Sequence, residues 1–331
     1  MFDNEQAEVK FAIEAVRNAA LLVSRIRQAM AVSALTKNDR SPVTVADFSA
    51  QAFVGRLLQQ TFPQDVLVAE EDSKALQQTQ NGDRLAQVVA FVRQMFPEAS
   101  AEDVCRWIDF GNAEPGSRFW TLDPIDGTKG FLRGDQYAVA LALVVEGKVQ
   151  IGVLGCPGLV NGYQPEPGGA GSLTVAVRGQ GTWVTSLTAD VSWRPLHVSS
   201  RANPAKARLL RSFERGHTNV NRIDVFTRTL GIEADPVRMD SQAKYAVLAA
   251  GHAELYLRLL SAERPDYREK IWDQAAGSLI VEEAGGMVTD LAGKALDFTR
   301  GRTLAANRGV CASNGVLHDA ALEALRTMQD A

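Results

Sequence analysis

The stretch from Trp120 to Gly130, Trp-Thr-Leu-Asp-Pro-Ile-Asp-Gly-Thr-Lys-Gly, constrains this chain more than any other. An apolar approach runs into two carboxylates, Asp123 and Asp126, separated by a proline and an isoleucine, and then into Gly127 and Thr128. Pro124 fixes φ and removes a donor, and Asp-Gly favours a sharp reversal. The spacing therefore predicts a tight turn that aims both acids, and the carbonyl between them, at one point. Hard divalent ions such as Mg²⁺ take oxygen ligands of this kind. Asp-Pro and Asp-Gly are also common loop punctuation, so this stretch alone fits a cation site and a plain turn about equally.

Downstream the pattern is that of a sheet. Tyr137 to Val145 and Val149 to Leu154 are apolar, β-branched runs joined by Glu146-Gly147-Lys148, which predicts a hairpin. After a Gly/Pro-rich loop from Pro157 to Gly171, Leu173 to Val177 and Thr182 to Val184 predict a second hairpin around Gly179-Gln180-Gly181. Upstream, Val9, Ile13, Val16, Ala20 and Val23 recur at helical spacing in one amphipathic helix from Glu5 to Met30. A polar loop from Lys37 to Thr44 leads into a second helix, Val45 to about Thr61. Val66 to Ala69 is a short buried strand, and Ser73 to Phe110 a helical insertion read as a cover or lid, with capping-box spacing at Ser100 and Asp103.

The domain change is expected between Thr185 and Arg194, giving an N-terminal α+β domain over 1–188 and a C-terminal α/β domain over 189–331. In the second, strands are expected at Ala207 to Phe213, Val237 to Met239, Glu254 to Leu260 and Met287 to Thr289. Helices are expected at Asn219 to Leu230, Ser241 to Ala250 with Gly251 as the stop, Trp272 to Glu283, and His318 to Met328. The alternation of β and α indicates a layered α/β architecture.

Composition narrows the function classes. The 331 residues are 46% hydrophobic and 22% charged, typical of a globular protein, and the net charge of −4 argues against a general nucleic-acid or membrane surface. The N-terminus lacks a basic and then apolar secretory run, and the longest apolar stretch, Ala138 to Val145, is far too short to span a bilayer as a helix. Cys105, Cys156 and Cys311 are scattered with no paired spacing, so a reduced cytoplasmic setting and buried thiols are expected.

Three further acids have two readings each. Asp47 stands three residues after Thr44 and Asp273 follows Trp272 at a helix start; a first-turn acid is stabilised by the helix dipole, by about 0.3–1 kcal/mol. Asp47 equally fits a base orienting water beside a metal site. Glu70-Glu71-Asp72 fits a solvated turn, but strand ends in layered α/β folds are where ligands collect.

Taken together, Glu70-Glu71, Trp120-Thr-Leu-Asp-Pro-Ile-Asp-Gly-Thr128 and Trp272-Asp-Gln-Ala-Ala-Gly277 match, in order and rough spacing, the signatures of the inositol monophosphatase superfamily of metal-dependent, lithium-sensitive phosphatases. Within it the chain resembles the 3'(2'),5'-bisphosphate nucleotidases. That likeness includes Lys37-Asn-Asp-Arg-Ser-Pro-Val-Thr44, Lys129-Gly-Phe-Leu-Arg133, Asp240-Ser-Gln-Ala-Lys-Tyr245 and Gly301-Arg-Thr-Leu304, and spans nearly the whole chain. It implies an αβαβα sandwich and a nucleotide bisphosphate as substrate. It also implies two or three Mg²⁺ ions bound by Glu70, Asp123, Asp126, Asp273 and the Ile125 carbonyl. Asp47 and Thr128 would orient and deprotonate the attacking water, Gly127 and Thr128 would lie against the substrate, and Ser241, Lys244 and Arg258 would hold its far end. His217, in Glu214-Arg-Gly-His217, is placed at the nucleotide on looser flanking sequence. Ala69 stands where the family usually has glycine.

Physics points the same way. Two carboxylates ~4 Å apart repel by about 4 kcal/mol at an effective dielectric of ~20, so converging acids need cations or protons between them. The expected reaction is in-line attack of water on a phosphate monoester, with no covalent intermediate, by a monomer or a dimer. The alternatives are a sister phosphatase acting on an inositol phosphate or fructose bisphosphate, and a non-catalytic nucleotide sensor. A nicotinamide enzyme is disfavoured because no Gly-x-Gly-x-x-Gly opens a helix after a strand.

Overall fold

The computed structural model describes residues 2–34, 41–78, 81–165, 169–188, 192–213, 220–260 and 266–328. Two long helices come first, α1 (Ala7–Ala34) and α2 (Ser41–Thr61). The expected polar loop is only partly described, because residues 35–40 lie outside the described residues and Ser41 to Thr44 already belong to α2. Ser-Pro is a good helix start, since proline's missing N–H is an orphan there anyway. Asp47 is thus the seventh helical residue, beyond the first turn, and the dipole reading of it fails.

β1 (Val66–Ala69) is followed by α3 (Gly82–Val92) and α4 (Ala101–Asp109), the latter opened by a full Ser100/Asp103 capping box. Both helices pack against α2, so they brace a helix and are not the expected lid. Next come β2 (Arg118–Asp126), α5 (Thr128–Arg133), β3 (Ala138–Val145) and β4 (Lys148–Cys156). The β3–β4 turn has positive φ at Glu146 (48°) and Gly147 (71°), the geometry that matches strand twist in a two-residue hairpin. The short pair β5 (Leu159–Val160) and β6 (Gln164–Pro165) lies in the Gly/Pro-rich region, before β7 (Ser172–Val177), β8 (Gly181–Ser186) and β9 (Arg194–Leu196).

The remainder is β10 (Leu209–Arg211), α6 (Val220–Leu230), β11 (Val237–Arg238), α7 (Ala243–Ala249) and β12 (Leu255–Arg258). It ends with α8 (Ala275–Glu283), β13 (Met287–Thr289), β14 (Val310–Ser313) and α9 (His318–Thr327). The first sheet has the order β1-β2-β3-β4-β7-β8-β9, parallel only between β1 and β2. The second, β11-β10-β12-β14-β13, is parallel across β11, β10 and β12 and antiparallel at β14.

Five layers result. α1 and α2 cover one face of the first sheet, α7 and α8 lie between the sheets, and α6 and α9 cover the outer face of the second. A sheet buried on both faces has no polar side, which is why β3 is apolar throughout: Val139, Leu141 and Leu143 join the α1/α2 core, while Ala138, Ala140, Ala142 and Val144 join the central one. Two β4 glycines let helices approach from opposite sides. A Cβ on Gly155 would come within 2.9 Å of Ala20 in α1, and one on Gly152 within 2.7 Å of the Ala276 carbonyl at the start of α8. That second contact seats the α8 start, and the Asp273 turn before it, against the first sheet.

Candidate active site

β1 delivers Glu70 at its C-terminal end, and that end is held from two sides. The Ala69 amide donates to the Gly111 carbonyl (2.8 Å), while fully buried Gln51 on α2 donates to the Glu71 carbonyl (2.6 Å) and accepts from the Glu71 amide (3.0 Å). In β2 the expected tight turn is instead a β-bulge: Asp123 pairs with Ala140 and Asp126 with Ala138, so three steps on β2 oppose two on β3. The bulge decides where the acids point. Residues three apart in a regular strand face opposite sides, and the extra residue at Pro124-Ile125 brings both carboxylates into one cavity. Proline is tolerated there because a bulge leaves a ladder position unpaired.

Beyond the bulge, Gly127 turns the chain into α5 at φ 90°. A Cβ there would sit 2.6 Å from the Ser241 Cβ, so glycine lets β2 pack directly on the segment before α7. Ser241 itself takes φ 67°, uncommon for a residue with a side chain. Asp273 lies in the turn just before α8, so its first-turn placement is also revised; Gln274 follows it as the N-cap. Gln242 ties these parts together. Its amide donates to Asp126 (2.7 Å), its side-chain nitrogen to the Trp272 carbonyl (2.9 Å), and its side-chain oxygen accepts from the Gly277 amide (3.2 Å).

Glu70, Asp123, Ile125, Asp126, Gly127, Thr128, Ser241, Lys244, Arg258 and Asp273 all line a single cavity of about 450 Å³. Asp47 does not line it. It is buried on α2, which packs against α5, and feels the charges of Glu71 and Glu70. Thr128 Oγ1 is directed at the Ile125 carbonyl, 3.5 Å away. His217 lies outside the described residues.

The acids strain one another. Burial pushes the Asp123 carboxyl well above the usual range, reinforced by Glu70, Asp126, Asp273 and Asp47. Asp273 is pushed well up by burial and Asp126, Glu70 is raised by burial and Asp126, and Asp47 well up by burial and Glu71. Glu71 rises to about 7 through burial, Glu70 and Asp72. Burial also raises Asp126, against the pull of Lys244, Arg258 and Gln242.

With the side chains in these positions, no three His, Cys, Asp or Glu among the described residues form a closed metal cage. Two features nonetheless fit a cation: the facing, mutually raised carboxylates, and Asp123 Oδ1, which is buried without a hydrogen-bond partner. A buried, unpartnered carboxylate oxygen is costly and calls for a cation or a proton.

Lys244 is only 3% exposed, which excludes a solvated helix face. Its ammonium lies 5.0 Å from the Tyr256 ring centroid, and burial lowers its pKa to about 8. Arg258 is on β12, flanked by β10 and β14, and so is not at a strand edge; it donates to Glu269 at 2.8 and 3.2 Å. Buried Glu269, which also accepts from Gln274 (3.0 Å), stands in no motif that would have marked it. Arg133, ion-paired with Asp240, and Asp240 itself fall within motif blocks, but their pairing could be found only in three dimensions.

Known proteins resemble this chain over nearly its whole length. The inositol monophosphatase family model matches residues 4–330. A 3'(2'),5'-bisphosphate nucleotidase of Schizosaccharomyces pombe is 43% identical over 335 residues, covering 96% of this chain and 94% of that protein. One of Oryza sativa is 41% identical over 339 residues, covering 97% and 94%. Among solved structures, the inositol monophosphatase from Anabaena superposes with a TM-score of 0.63 at 22% identity, covering 98% of this chain and 97% of that one, a likeness of fold. The chain therefore belongs to the inositol monophosphatase family of metal-dependent phosphatases, and within it stands beside the 3'(2'),5'-bisphosphate nucleotidases.

Proposed function

We propose that this protein hydrolyses the 3'-phosphate of 3'-phosphoadenosine 5'-phosphate, yielding AMP and phosphate, with the sulfated relative 3'-phosphoadenosine 5'-phosphosulfate as a candidate second substrate. The observation that carries the reading is the composition of one cavity: Glu70, Asp123, Asp126 and Asp273, from three separate chain segments, share it with buried Lys244 and half-buried Arg258. A substrate with two anionic groups suits such a lining, one group at the acids through cations and the other at Lys244 and the guanidinium fork of Arg258.

Glu70, Asp123, the Ile125 carbonyl, Asp126 and Asp273 would hold the cations. Two or three Mg²⁺ ions would there compensate the acids, lower the pKa of a water and stabilise charge on the phosphoryl and leaving oxygens. Asp47 takes the proton of the attacking water through the Thr128 hydroxyl, which turns from the Ile125 carbonyl, 3.5 Å away, to donate to Asp47 as it accepts from the water. Gly127 and Thr128 would lie against the reacting phosphate and Ser241 at the other anionic group; all three line the cavity. The phosphorus–oxygen bond to the 3' carbon's oxygen breaks as the bond to water forms, the leaving oxygen takes a proton from solvent, and no covalent enzyme intermediate forms.

The test is phosphate release from 3'-phosphoadenosine 5'-phosphate compared with inositol 1-phosphate, with Mg²⁺ titrated and Li⁺ added. Preference for the nucleotide, dependence on Mg²⁺ and inhibition by Li⁺ are expected. Preference for the inositol ester would replace the substrate while leaving the acid site standing.

A further inference from the structure

Glu70 is delivered by the end of β1 and Asp273 by the turn before α8, and one side chain outside the acid motifs touches both. The segment 302–304 runs beside 269–271: the Ile271 amide donates to the Arg302 carbonyl (3.2 Å), the Leu304 amide to the Glu269 carbonyl (2.9 Å), and Lys270 and Thr303 form an antiparallel bridge. That ribbon leads straight into Trp272 and Asp273. From it the Arg302 guanidinium crosses to the first sheet, donating to the Ala69 carbonyl immediately before Glu70 and to the carbonyls of Gly111 (3.3 Å) and Ala113 (2.9 Å). Gly111 accepts from the Ala69 amide and Asn112 bridges to Val68, so these carbonyls back the end of β1. The guanidinium also covers the Trp272 ring, 5.0 Å from its centroid.

We infer that Arg302 is a positioning residue for the metal site, fixing the Glu70 strand end against the Asp273 turn. The inference rests on the functional reading above. It follows from geometry: a flat fork can serve three carbonyls and stack on an indole at once, whereas an ammonium is a compact charge that cannot do both. Arg302 does not line the acid cavity. Its contribution is the spacing of two carboxylates that come from a strand end and a helix start and repel when brought near.

The test is calorimetric titration of Mg²⁺ into wild type, R302K and R302Q, with thermal unfolding of each metal-free protein and steady-state kinetics at saturating Mg²⁺. Outer residues that orient metal ligands change affinity by about 10–100-fold when replaced, so R302K should bind Mg²⁺ about tenfold more weakly and R302Q more weakly still. Raising Mg²⁺ should restore turnover in both variants, because what is lost is metal occupancy. Should R302Q fail to fold, R302K carries the comparison, because it keeps the charge and most of the stem. A variant that unfolds at lower temperature yet binds Mg²⁺ with wild-type affinity would show a purely structural role and overturn the inference. Wild-type protein that bound no Mg²⁺ would overturn the functional reading and this inference with it; wild-type binding matched by R302K overturns the inference alone.

Discussion

Asp123→Asn is expected to move the metal-free and metal-loaded protein in opposite directions. Asp123 is 2% exposed, its Oδ1 lacks a partner, and burial with Glu70, Asp126, Asp273 and Asp47 pushes its carboxyl well above the usual range. A carboxyl whose folded pKa exceeds its unfolded value binds its proton more tightly in the folded state. The associated stability is present in full below the unfolded pKa and is lost as pH rises through the folded one. Asparagine, nearly isosteric, carries no charge to be buried. The metal-free variant should therefore be at least as stable as wild type at neutral pH, with a margin that grows as pH rises.

Mg²⁺ acts the other way. At a concentration 100 times the dissociation constant, binding stabilises the folded state by about 2.7 kcal/mol. A carboxylate charge ~4 Å from a cation contributes about 4 kcal/mol per unit charge at an effective dielectric near 20, so a hundredfold loss of affinity on removing it is conservative. At the same Mg²⁺ concentration that leaves about 0.4 kcal/mol. For 331 residues, with an unfolding entropy near 2.1 cal/mol/K per residue, the Mg²⁺-induced rise in Tm falls from about 4 °C to under about 1 °C. Thermal unfolding with and without Mg²⁺ at several pH values reads both effects. A variant that is markedly less stable without metal, yet gains the wild-type increment with it, would refute Asp123 as a ligand and the crowding of acids as the cause.

Lys244→Met should raise KM for the nucleotide by about tenfold or more, the cost of losing a charged hydrogen-bond donor. In wild type that KM should climb as pH passes about 8, where the buried ammonium gives up its proton, and in Lys244→Met it should stay flat; initial rates across that range decide it. Gly127→Ala puts a Cβ 2.6 Å from that of Ser241 at φ 90°, and should cost about 2 kcal/mol or more, read from the denaturant midpoint. Glu71 has its carboxyl raised to about 7, so metal-free wild type should lose stability as pH rises through that value, and Glu71→Gln should flatten the profile; equal slopes would show that Glu71 does not titrate there.

The layered fold was legible wherever periodicity carried it. The long amphipathic helices, both hairpins and the capping box at Ser100 lie where the pattern put them. What escaped depends on partners distant in sequence. β14 is four residues, Val-Cys-Ala-Ser, with no alternation to mark it, yet it is the antiparallel link between β12 and β13. The bulge in β2 reads as a turn in the sequence because Asp-Pro and Asp-Gly serve both; only the register against β3 distinguishes them.

The site divides in the same way. Its acids announced themselves because strand ends and a helix start concentrate them in short motifs. Glu269, Gln242 and the contacts of Arg302 did not, because their effect lies in what they hold together: Arg258 with Gln274, Asp126 with the α8 turn, and Ala69 with Trp272. A carboxylate cluster that repels itself stays assembled only if the backbone beneath it is fixed, and here the groups bracing the ends of β1 and β2 are the amides of Gln51 and Gln242 and the Arg302 guanidinium bonded to carbonyl oxygens. Such donors brace the strand ends without neutralising the acids. The negative potential of the cavity is thereby kept for a ligand, and the same chemistry explains why the ligand positions could be read from motifs while their supports required the folded chain.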